Sequence, residues 1–348
     1  MKLYKQIIFI LIVFFKTETL FSENNLFNVN NIELEKKEKI SNIILANKAI
    51  KKGFNQLINK ILLKQDSDKL SDIDFSSIKK LVKYYQVTDI ADDRSKRNLV
   101  NFSVTFDKEK IHNLFYTRGI LYSEILDKEF YILPIFIKKD GIFIFNNNLF
   151  YERWNKIDEN NLIEFILPLE NIEIIKNISS SKNNLIGLDV SSLFKEYSDK
   201  NLALVLIEQE KLNLKKVYIK AKIQGKNITK SVNFKKQNLS TDEFNEKIIS
   251  EIKKELINLV KSRNLIDIRT PSFLNVKFIL NKKSSLNKLN LRIKKIDSIE
   301  NIYVQEFNKD YINIRIKYLG KLDKIINQLK KENINLKFTN ERWVIKTL

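Results

Sequence analysis

Between Leu99 and Phe106 apolar and polar residues alternate, with Val100, Phe102, Val104 and Phe106 of one parity and Asn101, Ser103 and Thr105 of the other. A period of two over eight residues predicts a strand with one buried face. Upstream, Phe27 to Leu34 reads as a strand. From about Ile40 to Leu62 the period changes: Ile43, Ile50, Phe54, Leu57, Ile58 and Ile61 recur at three, four and seven, which predicts one long amphipathic helix. Gly53 interrupts it at a cost of about 1 kcal/mol against alanine, so a close contact with the sheet is expected there. A short helix at Ser76 to Lys83 and a strand at Tyr84 to Ile90 follow. Asp107 can cap a helix whose inner face is Ile111, Leu114 and Phe115, and Gly119 can end it.

The middle of the chain opens with FYILPIFIKKDGIFIFNNNLFYERW, Phe130 to Trp154. Its first apolar run, to Ile137, predicts a strand entering a Lys138–Gly141 turn, with a second strand at Ile142 to Phe145 and a helix near Phe150 to Ile157. Leu162 to Leu167 is a buried strand closed by Pro168, Asp189 to Ser198 a helix, and Leu202 to Ile207 a strand covered on both faces. Val217, Ile219, Ala221 and Ile223 alternate up to Gly225, and the chain returns through Ile228 to Phe234 as a hairpin. Ser240 followed three later by Glu243 is a capping box opening a long helix that carries Phe244, Ile248, Ile252, Leu256 and Leu259. After Arg269-Thr270-Pro271 the order is strand, helix, strand, strand, helix, strand, with a last hairpin strand at Trp343 to Ile345. The fold class expected is α/β and α+β in several domains: 23–124 an N-terminal α/β domain, 125–266 a three-layer α/β domain, and 270–348 a ferredoxin-like βαββαβ domain.

Residues 1–22 have a different pattern. Lys2 and Lys5 precede an unbroken apolar run from Ile7 to Phe15, then a polar segment through Ser22. That run is about half the roughly 20 residues needed to span a bilayer, so it reads as a secretory signal peptide, and no later stretch is long enough to span once it is removed. The localisation expected is periplasmic. With no cysteine, a lipoprotein anchor, disulfides and thiolate metal sites are excluded. A formal charge of +20 would suit a polyanion. The lysines, however, are spread in pairs, as at Lys36-Lys37, Lys51-Lys52, Lys79-Lys80, Lys215-Lys216, Lys253-Lys254 and Lys330-Lys331, which reads as solvated faces. Nucleic acid is not expected as a partner; an anionic cell-wall polymer or lipid surface remains an alternative.

The inventory of reactive groups closes off most chemistry. His112 stands alone on the first turn of a helix, the six glycines are isolated, and no nucleophile elbow, phosphate loop or dinucleotide turn exists. Asp92-Asp93 and Asp72 with Asp74 are the paired carboxylates left for a carboxylate-dependent hydrolase, and both pairs lie in turn or cap contexts that favour aspartate structurally. No cofactor and no metal is expected. The candidate partner-binding residues are Phe150, Tyr151 and Trp154: helical spacing puts Phe150 and Trp154 on one face, either as core or as an exposed aromatic platform.

Several short motifs carry a resemblance: Phe106-Asp107, Gly119, Leu133-Pro134, Asp140-Gly141, Asn148-Leu149-Phe150 through Trp154, Leu167-Pro168-Leu169-Glu170 and Trp343. Through them the chain resembles the proteobacterial envelope family called domain of unknown function 2066, departing from it at Leu149, where a proline is usual, and at Glu170, where a glycine is. The middle domain is loosely similar to the N-terminal domain of the Tol-system propeller protein. The resemblance implies an envelope address and a role in binding envelope proteins, and it implies no reaction.

Overall fold

The computed structural model describes residues 26–347 apart from 37–40, 91–98, 126–127, 140, 158–161, 281–285 and 340. The signal peptide expected at 1–22 and the Asp92-Asp93 pair lie outside the described residues. The fold is mixed α/β, with several sheets and helices. Two compact units divide it: Met1–Tyr122 with Leu265–Leu348, and Ser123–Asn264. The sequence reading kept 23–124 and 270–348 apart, whereas these portions group in one unit.

In the first unit, strands Asn28–Glu35, Leu99–Phe106 and Val82–Ile90 form an antiparallel sheet with Leu99–Phe106 in the centre. The helix Asn42–Ile61 packs on it, capped by the Ser41 hydroxyl, which accepts from the Ile44 amide at 3.4 Å. Gly53 is the contact point. A Cβ there would stand 2.9 Å from Ile32 Cδ1, the tip of that side chain, and 3.5 Å from Val104 Cβ, so the helix lies close against the sheet and even an added methyl would make Ile32 give way. One position differs from the expected face: Ile43 is 71% exposed, and Leu45, Ala46 and Ala49 are buried in the first turns instead. Ile43 reaches only a shallow groove beside Tyr85 and Val87 of the edge strand. The helix Lys108–Arg118 is bounded as expected, by the Asp107 carboxylate, which accepts from the Glu109 and Lys110 amides, and by Gly119 at φ +60°.

The C-terminal portion contributes a five-stranded sheet in the order Ile299–Phe307, Tyr311–Tyr318, Ser272–Ile279, Arg342–Thr347, Ile334–Thr339. The last strand is wedged in, parallel to Ser272–Ile279 and antiparallel to Ile334–Thr339. Its own core gathers Leu274, Val276 and Phe278 under Leu289, Ile293, Ile325 and Leu329 of the helices Leu286–Ile293 and Leu322–Lys331. Ile266 and Leu319, in contrast, are buried in the N-terminal core. Lys108 Nζ donates to the Asp297 carbonyl at 2.6 Å, and His112 Nδ1 lies 3.6 Å from Glu300. Shared apolar burial and these bonds explain why the two portions form one unit.

The second unit is built on a mixed sheet in the order Lys226–Lys235, Leu214–Ile223, Asn201–Lys211, Glu129–Lys138, Gly141–Phe143, with Glu164–Ile166 also pairing Glu129–Lys138. Alternate residues of the Glu129–Lys138 strand enter different cores. Phe130, Ile132 and Phe136 join Trp154, Phe244 and Ile248, whereas Tyr131, Leu133 and Ile135 join Ile174, Leu193 and Phe194. The capping box forms as read: the Ser240 hydroxyl accepts from the Glu243 amide at 3.2 Å, and the Glu243 carboxylate accepts from the Ser240 amide at 2.8 Å, opening the helix Thr241–Arg263. Among the described residues no helix is long and apolar enough to cross a membrane.

Two outcomes follow for the first unit. Replacing Gly53 by leucine forces the helix off Ile32 and Val104 and is expected to cost about 1–3 kcal/mol in a urea titration. Glu300 also lies 3.0 Å from Lys317 Nζ; the facing His112 ring first and then Lys317 pull its carboxyl down to about 2 against partial burial. A pKa lowered on folding stabilises above the unfolded value and is lost as pH falls through the folded one. The urea midpoint should therefore fall more steeply from pH 5 to pH 2 in the wild type than in Glu300→Gln, and equal slopes would refute the assignment.

Candidate functional site

The predicted aromatic residues lie where the second unit turns from strand to helix. Asn148, fully buried, caps the helix Leu149–Arg153: its Oδ1 accepts from the amides of Phe150 at 3.1 Å and Tyr151 at 3.3 Å. Its Nδ2 donates to the carbonyls of Pro134 at 2.8 Å, Phe143 at 3.1 Å and Ile144 at 2.7 Å. Phe150 and Trp154 are both 0% exposed. Phe150 meets Phe136 edge-on with centroids 5.2 Å apart, and Trp154 meets Phe165 edge-on at 6.1 Å. The exposed platform is thus corrected for these two residues: the face shared by Phe150 and Trp154 is core, because both rings point at the strand Glu129–Lys138 and the helix Thr241–Arg263.

Tyr151 behaves differently. Half-buried, it packs edge-on against Phe145 at 5.2 Å and donates its hydroxyl to the Pro168 carbonyl at 2.8 Å. Burial first, then the nearby Glu170 charge, push its phenol above the usual range, so it remains a donor. This bond fixes the segment Leu167-Pro168-Leu169-Glu170, which forms one wall of a groove of about 440 Å³. The opposite wall comes from Phe194 and the turn Lys195–Tyr197, and Tyr131 lies within it, stacked on Tyr197 with centroids 4.1 Å apart. Leu169, at the rim, is 85% exposed, and Ile172, in the first turn of the helix Ile172–Ser180, is 69% exposed.

The groove is lined in nearly equal measure by apolar and polar surface, with three carboxylates among the polar groups. Glu170, Glu173 and Glu196 line it; Lys195 lies 3.3 Å from Glu173, and Asn146 donates to Glu170 at 3.3 Å. Among the described residues no group of three or more His, Cys, Asp or Glu side chains could hold a metal ion. What the groove can do is bind an apolar side chain flanked by a cation.

Elsewhere the titratable candidates serve the fold. Asp72 pairs with Arg118, with Nη2 to Oδ2 at 3.2 Å, and Asp74 caps the helix Phe75–Lys80 by accepting from the Ser77 amide at 2.8 Å. His112 packs its ring between Phe27 and Tyr122. The reading of all lysine pairs as solvated needs correction too: Lys215 and Lys253 are buried, Lys215 over the ring of Phe244 and Lys253 donating to the Ile157 carbonyl at 2.5 Å. Sequence reasoning also missed the helix Ile172–Ser180. Its signal was present in Asn171, whose side chain accepts from the Glu173 amide at 2.7 Å, and in Ile174 and Ile178 four apart.

Compared with protein-family models, curated proteins and solved structures, the chain matches none.

Asn148→Ala removes a cap and strips three carbonyls of their donor. The expected loss is about 3–5 kcal/mol in denaturant unfolding of the second unit. Asn148→Asp should be at least as damaging, because it retains the cap acceptor while setting an anion against those carbonyls.

Proposed function

We propose that the chain is an exported, non-catalytic protein of the periplasm that acts through protein–protein contacts in assembling or maintaining the cell envelope. The observation that carries this is the groove beside Leu167–Asn171, where Leu169 holds its apolar side chain in solvent and the stacked Tyr131 and Tyr197 share the lining. Exposed apolar groups rimmed by charge are the composition of a binding surface. The occupant matching its chemistry is a protein segment with an apolar side chain for the groove and a basic one for Glu170 and Glu196. The apolar run Ile7–Phe15 supports export, and the resemblance to the envelope family called domain of unknown function 2066 supports the address.

The finer architecture belongs to the same reading. We take the second unit as a three-layer α/β domain, since its sheet has one core cluster with the helix Thr241–Arg263 and another with the helices Ile172–Ser180 and Val190–Leu193. We take the C-terminal portion as a ferredoxin-like domain with one departure, the strand Arg342–Thr347 inserted beside Ser272–Ile279. A second reading, a basic module for an anionic wall polymer or lipid surface, is favoured by the sheet of that portion, where Lys277 lies over the Tyr311 ring at 3.9 Å and Arg315 over Phe273 at 4.2 Å. It predicts polymer binding that weakens with salt.

The protein-contact reading is tested in living cells with a photo-crosslinking side chain at position 169 and, as an equally exposed control in the same unit, at position 212. Leu169 should give a discrete protein adduct that Glu170→Lys weakens, and Leu212, 83% exposed, should give none. Indistinguishable patterns from the two positions, or recovery of the chain in the cytoplasmic fraction, would overturn it.

A further inference from the structure

A strand that buries one face reserves that parity for apolar side chains, and Leu214–Ile223 breaks the rule at one position. Val217, Ile219, Ala221 and Ile223 face the helix Thr241–Arg263, and Lys215 continues their parity, only 2% exposed. Its ammonium lies 4.8 Å from the centroid of the Phe244 ring and makes no hydrogen bond to a described residue, although its tip is not sealed from solvent. Burying a cation without a counter-ion is costly.

The surroundings add positive charge rather than removing it. Ile137 pairs with Glu208 and Gln209 pairs with Lys215, so Lys138, Gln209 and Lys215 form one row across three adjacent strands. All three share the parity of Phe136, Ile207 and Val217, on the face that meets the helix Thr241–Arg263. Lys138 lies over the rings of Phe136 and Phe143 at 5.0 and 5.1 Å. Lys236 donates to the Thr241 hydroxyl at 2.9 Å, in the first turn of the 23-residue helix. The end of that helix adds the positive pole of its dipole.

The carboxylates among the described residues nearby are otherwise engaged. Glu243 is held in the capping box, Asp242 and Glu246 lie 3.1 and 3.7 Å from Arg153, and Glu208 and Glu210 act on Lys216, which has the opposite parity. Burial first, then Lys236 and Lys138, lower the affinity of Lys215 for its proton.

We propose that Lys138, Gln209, Lys215 and Lys236, at the N-terminus of the helix Thr241–Arg263, form a binding site for a phosphomonoester group. Such a dianion supplies the charge that several ammonium groups and a helix N-terminus lack, and its oxygens accept from Lys215, the Gln209 amide and Lys236 together. The phosphate could be free or the head group of a lipid; the chemistry of recognition is shared. The site does not involve the Leu169 groove, so the two ideas stand or fall separately.

The test uses the full purified chain at pH 7, with thermal unfolding in inorganic phosphate and in sodium chloride of matched ionic strength. Phosphate should raise the midpoint by about 2–4 °C over chloride. Lys215→Met should raise the midpoint in chloride, by removing a largely buried charge that Lys138 and Lys236 repel, and abolish the phosphate increment; Lys236→Gln, at a half-buried position, should reduce the increment without a change in core packing. Equal midpoints for the wild type in the two salts, or an undiminished increment in both variants, would overturn the proposal. Flotation with vesicles of phosphatidic acid against phosphatidylcholine then identifies the source: Lys215-dependent binding to the first alone assigns a lipid head group, and flotation with neither, alongside a retained increment, assigns a free phosphate.

Discussion

Everything in the second unit hangs on how one strand is allowed to contain a proline. Glu129–Lys138 pairs along most of its length with Asn201–Lys211, but on its other side Glu164–Ile166 covers only Glu129 to Tyr131 and Gly141–Phe143 only Phe136 to Lys138. Pro134 falls in the gap. In a strand the amide and carbonyl of one residue point to the same side, so the N–H that proline lacks belongs to this unpaired edge. The orphan is then its carbonyl, which Asn148 Nδ2 satisfies. By also holding the carbonyls of Phe143 and Ile144 and capping the next helix, one buried amide closes the gap, ends the hairpin and aims Phe150 at the core. A polar group buried with all its hydrogen-bonding capacity used rigidifies the site.

That closure decides which side chains remain to do external work. A strand covered on both faces spends its alternate residues on two cores, so the aromatic residues beside it are drawn inward, and Phe150 and Trp154 have nothing left to offer a partner. Surfaces with unspent groups lie where the strands stop. At one end is the groove after Ile166, its wall held by Tyr151; at the other is the row of Lys138, Gln209 and Lys215. In both places a side chain departs from what burial alone prescribes, an exposed leucine in one and a buried lysine in the other.

Local signals were legible in the sequence to within a residue or two. The capping box at Ser240, the Asp107 cap, the Gly119 stop and the Gly53 contact each depend on neighbours a few residues away or on the small size or left-handed backbone that glycine supplies. What sequence reasoning misplaced depends on distant partners. That Arg342–Thr347 would wedge beside Ser272–Ile279 is a choice between sheet edges that local pattern does not encode. Ile43 has the right spacing from Ile50, yet Leu45 and Ala46 take the buried places in the first turn, so spacing alone could not tell that Ile43 would be exposed. Lys215 could have been caught, since it sits on the apolar parity of a cleanly alternating strand; read as half of a lysine pair, it passed for a solvated residue.

The two working ends are also kept apart by the strand they share. Tyr131 enters the groove near the start of Glu129–Lys138, and Lys138 closes the lysine row at its end. Seven residues of extended chain separate them by roughly 23 Å, and the parity of the strand sends them to opposite faces of the sheet. A partner side chain seated between Tyr197 and Leu169 therefore cannot reach an anion at Lys215, and neither occupant displaces the other. Coupling between them would have to pass through the strand itself, whose register is held by pairing with Asn201–Lys211 and by the buried amide of Asn148, leaving little freedom to shift. If both proposed sites bind, the architecture favours two independent events on one rigid sheet over a relay between them.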